Sequence, residues 1–523
     1  MLYFESRFSG FVTDFIGFET NYDRCGFWNY YQCAHGKNFR YLQHAFSYFL
    51  YKQVGSDTLI WYFLYSFFHA LTAYLVFIVV LKLLENISYH QAKYISLISA
   101  CLFLVSPFQS EVVVWRVCIQ YNFISICLLL AIYLYLKDFK QANWINPLLC
   151  FFLLFIGLLS LEQVVVMPYF ILLIAVFFAI YSKSTQHLKR QFFAYFLPQH
   201  LLIGFYFLAS KIIYGKWIMH YGAQSYEGIF SLRTISKFFE YFFKYVFLVR
   251  CWNYEYKSVF FSIVEKPMVT IMLTLLLLSL LFVCIRKFIK GSTKSGLITL
   301  VIALYIISLI PVIQLYFTIL LNVENDRLGY LSSIFIFLLL AIILADFRPI
   351  IRNSLAILFV LFNLFFTIKI SHYWHRSTQI YYSYLNNFKA NTFENVYLLG
   401  VPDNYKGIWM MRMYGRESAF KDALKYRLKK PFAGNIYDVM YFNQTSFDDG
   451  MKVSKKNDST LCVEFSNYGS WFWNQGVGAQ DYETSSYKVI VHNYNYDVIF
   501  KNYNRNKSII LYPSKLKWKA VDF

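Results

Sequence analysis

Charge is scarce in this sequence, and acidic charge scarcest: Asp and Glu number 29 among 523 residues, and all charged residues together make 15%. Soluble globular domains keep about a quarter of their residues charged, so a wholly water-covered chain is excluded. The nine cysteines include no CxxC pair, which removes the usual spacing of structural zinc sites and dithiol redox motifs. The formal net charge is +20, yet there is no basic helix, no Lys/Arg cluster and no RNA- or DNA-binding motif, so nucleic acid is not an expected partner. Internal repeats at a solenoid period are also lacking.

What is abundant is apolar sequence in long blocks. Hydrophobic residues make 58% of the chain and aromatic residues 22%, with a mean hydropathy of +0.43. A hydrocarbon core about 30 Å thick needs roughly 20 apolar residues per helix, and lipid admits only spans whose backbone bonds are satisfied internally. Apolar runs fall at Thr58–Leu84, Lys93–Phe108, Cys118–Leu136, Trp144–Ser160, Gln163–Tyr181, Phe192–Ile213, Met268–Ile285, Gly296–Gln314, Leu331–Phe347 and Leu355–Ile370. The expectation is an all-α polytopic membrane bundle of about ten or eleven helices.

Every second connection is basic: Lys82/Lys93, Lys137/Lys140, Lys183/Lys189/Arg190, Arg286/Lys287/Lys290/Lys294 and Arg348/Arg352. By the positive-inside rule these face the cytoplasm. Residues 1–57, the other connections and everything after Ser371 then lie outside, with anionic lipid headgroups as partners of the surplus positive charge. An outer segment 1–57 requires either unaided translocation or a preceding helix, and the preceding helix is the expectation. In the long connection Tyr214–Lys266, the stretch Arg233–Val249 reads as a helix lying in the interface plane.

After Ser371 the apolar blocks end. Val396–Gly400, Tyr487–Val491, Tyr496–Phe500 and Ser508–Tyr512 have the β-branched and aromatic content of strands, so 371–523 is expected to be a small α+β domain. The division is therefore 1–57 as a first outer loop, 58–370 as the transmembrane domain and 371–523 as the C-terminal domain. Cys101, Cys118, Cys150 and Cys284 lie in apolar blocks and read as packing residues. Cys25 and Cys33 share the first loop and either pair, if that loop is extracytoplasmic, or stand as two thiols.

Ionisable residues at the ends of apolar spans are costly to hold there and are functional candidates by default. On this topology the outward ones are Asp14 and Arg40 in the first loop, His69, Glu111, Arg116, Glu162, and the group Glu324, Asp326 and Arg327 before Tyr330. Each has a plainer reading beside the functional one. Asp14, Glu111 and Glu162 suit helix starts, Arg327 suits an interfacial anchor, and His69 suits a hydrogen-bonded packing position.

Ser106-Pro107-Phe108-Gln109-Ser110-Glu111-Val112-Val113-Val114-Trp115 resembles the HPxHxEAVxW segment of transmembrane O-mannosyltransferase-type proteins. Leu159-Ser160-Leu161-Glu162-Gln163 is similar to their SKE turn, and Glu324-Asn325-Asp326-Arg327-Leu328-Gly329-Tyr330-Leu331-Ser332-Ser333 to their AERxxYLPS. Upstream, Thr13-Asp14 with Asn21, Phe39-Arg40-Tyr41-Leu42 and Phe68-His69-Ala70 follow the order of DD…N, YRPL and LLHA. The chain departs from the pattern in carrying Thr13 for the first acid of the pair, Tyr41 for the proline and Leu161 for the lysine. No tetratricopeptide array follows the spans, which points to a bacterial relative.

The resemblance implies a GT-C class glycosyltransferase with eleven or more helices, which also calls for a preceding helix. It implies a polyprenyl-phosphate sugar as donor and an acid of the first outer loop as base. Such an inverting transfer suits the candidates. The acceptor hydroxyl loses its proton to a carboxylate, assigned to Asp14, and the departing phosphate is met by guanidinium donors, assigned to Arg327 and Arg40 with Arg116 beside them. Glu111 and Glu162 either orient the base or acceptor, or join Asp14 as ligands of a hard divalent cation, Mg or Mn. His69, Glu324 and Tyr330 are supporting residues. The expected function is sugar transfer to a protein or glycan acceptor at the outer face of the inner (cytoplasmic) membrane of a cell envelope. The rivals are a lipid-linked glycan transporter and a non-catalytic membrane assembly protein.

Overall fold

A computed structural model describes residues 2–12, 14–29, 39–56, 58–138, 143–184, 186–218, 231–315, 326–390, 392–411, 418–447, 449–465, 472–473, 479–492, 495–501 and 503–521. The chain divides into two compact units: residues 1–3 with 27–370, and residues 4–26 with 371–523.

The first unit is helical, and each of the ten apolar runs falls on a helix. Among the described residues, seven helices are long and apolar enough to cross a membrane: Leu59–Asn86, Ile119–Asp138, Glu162–Ser182, Leu188–Tyr214, Pro267–Ile289, Asp326–Leu344 and Pro349–Asn386. Ala92–Val105 and Pro107–Val114, bent by 59° at Ser106, form an eighth if taken as one span, and Ile145–Leu158 and Thr293–Leu309 are shorter apolar helices. The bend follows from Pro107, which has no N–H to donate back along the helix. Leu275, Leu276 and Phe282 on one of these helices and Phe205 and Ile212 on another are exposed, as a lipid-facing surface requires. The chain is a multi-pass membrane protein with a β-rich C-terminal region.

The interface-plane stretch does form a helix, Leu232–Phe247, started by the Ser231 hydroxyl, which accepts from the Thr234 N–H at 3.2 Å. Leu232 and Phe247 are exposed. Its other face buries Glu240, Tyr241, Lys244 and Tyr245.

The second unit holds three small sheets. In the first, β1 (Asn395–Leu398) lies parallel to both β4 (Asn435–Asp438) and β12 (Ser508–Ser514), with β13 (Lys517–Ala520) antiparallel at the edge. In the second, β2 (Val401–Tyr405) pairs in parallel with β5 (Tyr441–Gln444), flanked by β3 (Ile408–Trp409) and β8 (Phe472–Trp473). The third is an antiparallel run of β6 (Met451–Asn457), β7 (Thr460–Phe465), β11 (Asn495–Phe500), β10 (Tyr487–Val491) and β9 (Tyr482–Glu483). The helix Ala419–Leu428 crosses between β3 and β4. All four strands expected from composition are present.

The first outer loop is not the separate segment expected. Residues 4–26 belong to the second unit, and the physical reason is twofold. Ile16 joins a core with Tyr381, Tyr384, Leu385, Phe420 and Ala423. Glu19, on the helix Asp14–Cys25, forms a bidentate ion pair with Arg427, in which Nη1 donates to Oε1 at 2.8 Å and Nη2 to Oε2. Both side chains are 2% exposed, and the Arg427 Nε–H donates to the Phe11 carbonyl. Cys25 is disulfide-bonded; Cys33 lies outside the described residues. Cys101, Cys118, Cys150 and Cys284 are free.

Breaking a buried pair from one side strands the other charge, at a cost of about 3–5 kcal/mol. Glu19→Gln is therefore expected to lower the melting temperature of the full-length protein in detergent, and Glu19→Leu with Arg427→Met to recover most of the loss. Unchanged melting of Glu19→Gln shows the pair to be dispensable.

Candidate functional site

Three of the segments singled out in sequence fold alike, each as a short 3₁₀ turn opening a helix. Pro107–Gln109 leads into Ser110–Val114, Glu162–Val166 into Met167–Ser182, and Asp326–Gly329 into Tyr330–Leu344. Glu111, Glu162 and Asp326 thereby sit at helix starts, where the helix dipole favours a carboxylate.

Glu111 is buried, and both of its oxygens go to one residue. Oε2 accepts from the backbone N–H of Arg327 at 2.8 Å, and Oε1 accepts from its Nη1 at 3.1 Å. The Arg327 guanidinium also lies 5.0 Å from the centroid of the Trp115 ring. Arg327 is the accessible member of the pair, with 14% of its side chain exposed against 1% for Glu111.

Asp326 is bound by two cations that the sequence reading did not single out. Lys244 Nζ is 2.5 Å and Arg250 Nη1 2.7 Å from its Oδ1, and none of the three side chains has any exposure. Both cations come from the stretch read as a lipid-surface helix and its exit. The signal was present, since an ionisable residue in an aromatic stretch beside apolar spans meets the same criterion that selected Glu111. Tyr245 of the same helix donates to the Gly329 carbonyl at 2.9 Å, and a Cβ at position 329 would collide with Tyr241 and Tyr245. Glycine there lets the aromatic helix close on the turn.

His69 and Tyr330 are brought together. His69 Nδ1 is 2.9 Å from the Tyr330 hydroxyl and Nε2 3.1 Å from the Leu104 carbonyl, while the Tyr330 hydroxyl donates to Asn122 Oδ1 at 2.8 Å. A carbonyl only accepts, so Nε2 carries a proton. Both rings are buried, which is the packing arrangement that was the plainer reading of His69.

Arg116 is fully buried. Its Nη1 donates to the Val113 carbonyl at 3.0 Å, and its guanidinium lies 5.2 Å from the Tyr65 ring centroid. These contacts hold the local turn.

Arg40 precedes the helix Tyr41–Val54, which is tied to the turn before Glu162 by Leu42 N–H donating to the Leu159 carbonyl at 3.0 Å. Glu162 accepts from the Tyr206 hydroxyl at 3.3 Å, and the Phe39 ring lies tilted against that of Tyr206, 5.3 Å between centroids. Arg40 and Glu162 thus belong to a second polar group of the helical unit.

Asp14 is the exposed first residue of the helix Asp14–Cys25 and belongs to the other unit. Glu324 and Thr13 lie outside the described residues. Among the described residues, no three His, Cys, Asp or Glu side chains are placed to hold a metal ion, and Glu111 has already committed both oxygens to Arg327.

Exposure ranks the two acids by what each leaves behind. Asp326→Asn strands two fully buried cations and is expected to cost about 3–5 kcal/mol. Glu111→Gln leaves Arg327 partly in contact with solvent and is expected to cost about 1–3 kcal/mol. Melting of the two variants in detergent checks the order, and Glu111→Gln as the more damaging change contradicts it. No protein-family model matches the chain, and no curated protein matches it in sequence.

Proposed function

We propose that the chain is an inverting membrane glycosyltransferase that takes a sugar from a polyprenyl-phosphate donor and passes it to a protein or glycan acceptor at the outer face of the cytoplasmic membrane. The observation that carries this reading is the Glu111–Arg327 pair. A buried carboxylate holds the Arg327 backbone and one guanidinium nitrogen, leaving an immobilised, partly accessible cation at the start of an apolar helix. A fixed guanidinium is what a departing lipid phosphate requires, because its donors are in place before the charge develops.

In the transfer, the acceptor oxygen bonds to the anomeric carbon as its proton passes to a carboxylate. The bond from that carbon to the phosphate oxygen breaks, and its electron pair leaves with the phosphate. Arg327 meets that charge, with Arg40 as the second candidate. Arg116 is engaged with Val113 and Tyr65 and is not used in this reading. The base is Asp14, as the resemblance assigns.

The test is transfer of radiolabel from a panel of polyprenyl-phosphate sugars by membranes containing the full-length protein. One donor is expected to be consumed. Asp14→Asn is expected to reduce the rate about 10²–10⁴-fold, and Arg327→Ala about 10²–10³-fold, with both variants still accumulating. If no donor is consumed, a transport or assembly role replaces the reading; if Asp14→Asn matches the parent, the base assignment falls.

A further inference from the structure

Two side-chain amides from two different 3₁₀ turns are linked to the first turn of the helix Tyr330–Leu344, Gln109 directly and Gln163 through Ser308 of the helix Thr293–Leu309. Gln109 donates from Nε2 to the Ser333 hydroxyl at 2.8 Å. Gln163 donates from Nε2 to the Ser308 carbonyl at 3.3 Å, and the Ser308 hydroxyl donates to that of Ser332 at 2.7 Å. Gln109 has no exposure and Gln163 has 2%. In both, the nitrogen end is engaged and the carbonyl oxygen is buried without a hydrogen-bond partner. The buried Ser110 hydroxyl, between Gln109 and Glu111, is in the same condition.

Folded proteins rarely leave such oxygens unsatisfied, because each forfeits its hydrogen bonds to water and regains nothing. Other oxygens of the helical unit share this condition, those of Gln43, Gln120 and Asn363 among them, but these three adjoin in sequence the carboxylates Glu111 and Glu162. What they lack is hydrogen-bond donors. A lipid tail has none and a phosphate has almost none, but a monosaccharide carries several hydroxyls around one ring. The placement also fits, since Ser110 adjoins Glu111, whose partner is Arg327, and Gln163 adjoins Glu162.

We propose that Gln109, Ser110 and Gln163 form the subsite that receives the hydroxyls of the donor's sugar. The inference rests on the glycosyltransferase reading and assigns specificity within it. A site built to hydrogen-bond a hydroxyl rejects the analogue that lacks it far more strongly than an apolar pocket rejects a missing methylene.

The experiment is thermal unfolding of the purified full-length protein with bare polyprenyl phosphate and with mannosyl, glucosyl, galactosyl and N-acetylglucosaminyl polyprenyl phosphates. The variants are Gln109→Met and Gln163→Met, which conserve volume and remove the carbonyl, and Ser110→Ala. Bare lipid phosphate is expected to raise the melting temperature of parent and variants alike. One sugar-bearing lipid is expected to raise it further in the parent, and each variant is expected to lose part of that increment, with KM for the donor rising about tenfold per amide removed.

No stabilisation of the parent by any of the lipids overturns the glycosyltransferase reading and the inference with it. An increment fully retained in the variants, or no increment of any sugar over bare lipid, overturns the inference alone. Should the methionine variants fail to fold, donors lacking one sugar hydroxyl at a time decide the matter on the unaltered protein. At least one must lose the increment, and a series that stabilises equally sinks the proposal.

Discussion

The carboxylate of Glu111 is the fixed point of the helical unit. By holding the backbone N–H and the guanidinium of the same residue, 216 positions away in sequence, it sets the turn Asp326–Gly329 in place. Much else follows from that turn. Asp326 is delivered between Lys244 and Arg250, Gly329 receives the aromatic helix, Tyr330 meets His69, and Ser332 and Ser333 face Ser308 and Gln109. An acid taken from water into an apolar bundle has to be compensated on every side, and the first turn of one helix does this by recruiting partners from five other segments.

The apolar helices and three turns were legible in the sequence because hydrophobic blocks and Ser-Pro or acid-led breaks are local signals. The ten runs became ten apolar helical segments, and the strand pattern after Ser371 became sheets. Legibility failed where pairing crosses long distances. Nothing local to Lys244 or Arg250 says that each meets Asp326, although their position in an aromatic stretch marked them as unusual. Nor does anything near Glu19 announce a partner 408 residues on, which is why residues 4–26 read as a loop of the membrane domain. Arg116, a charge at the end of a span, packs against a tyrosine ring and a carbonyl, contacts that its local sequence does not announce.

Polar side chains in the bundle divide into those that close on each other and those that do not. Glu111, His69 and the Oδ1 of Asp326 are answered by named partners within the helical unit, and such pairs fix which helix meets which. Gln109, Ser110 and Gln163 retain oxygens with no answer. A bundle that selected only for stability would replace them with apolar groups of the same volume, and that is the cost the proposed sugar subsite has to outweigh.

The membership of residues 4–26 in the C-terminal unit sets an order of events during synthesis. Their partners in the Ile16 core and the Glu19–Arg427 pair lie beyond residue 370, so the intervening 27–370 must be made first. At about 5–20 residues per second that takes roughly 20–70 s. For that interval the amphipathic helix Asp14–Cys25 has neither its apolar cover nor its counter-charge, and the domain made after the helical unit completes a segment made before it.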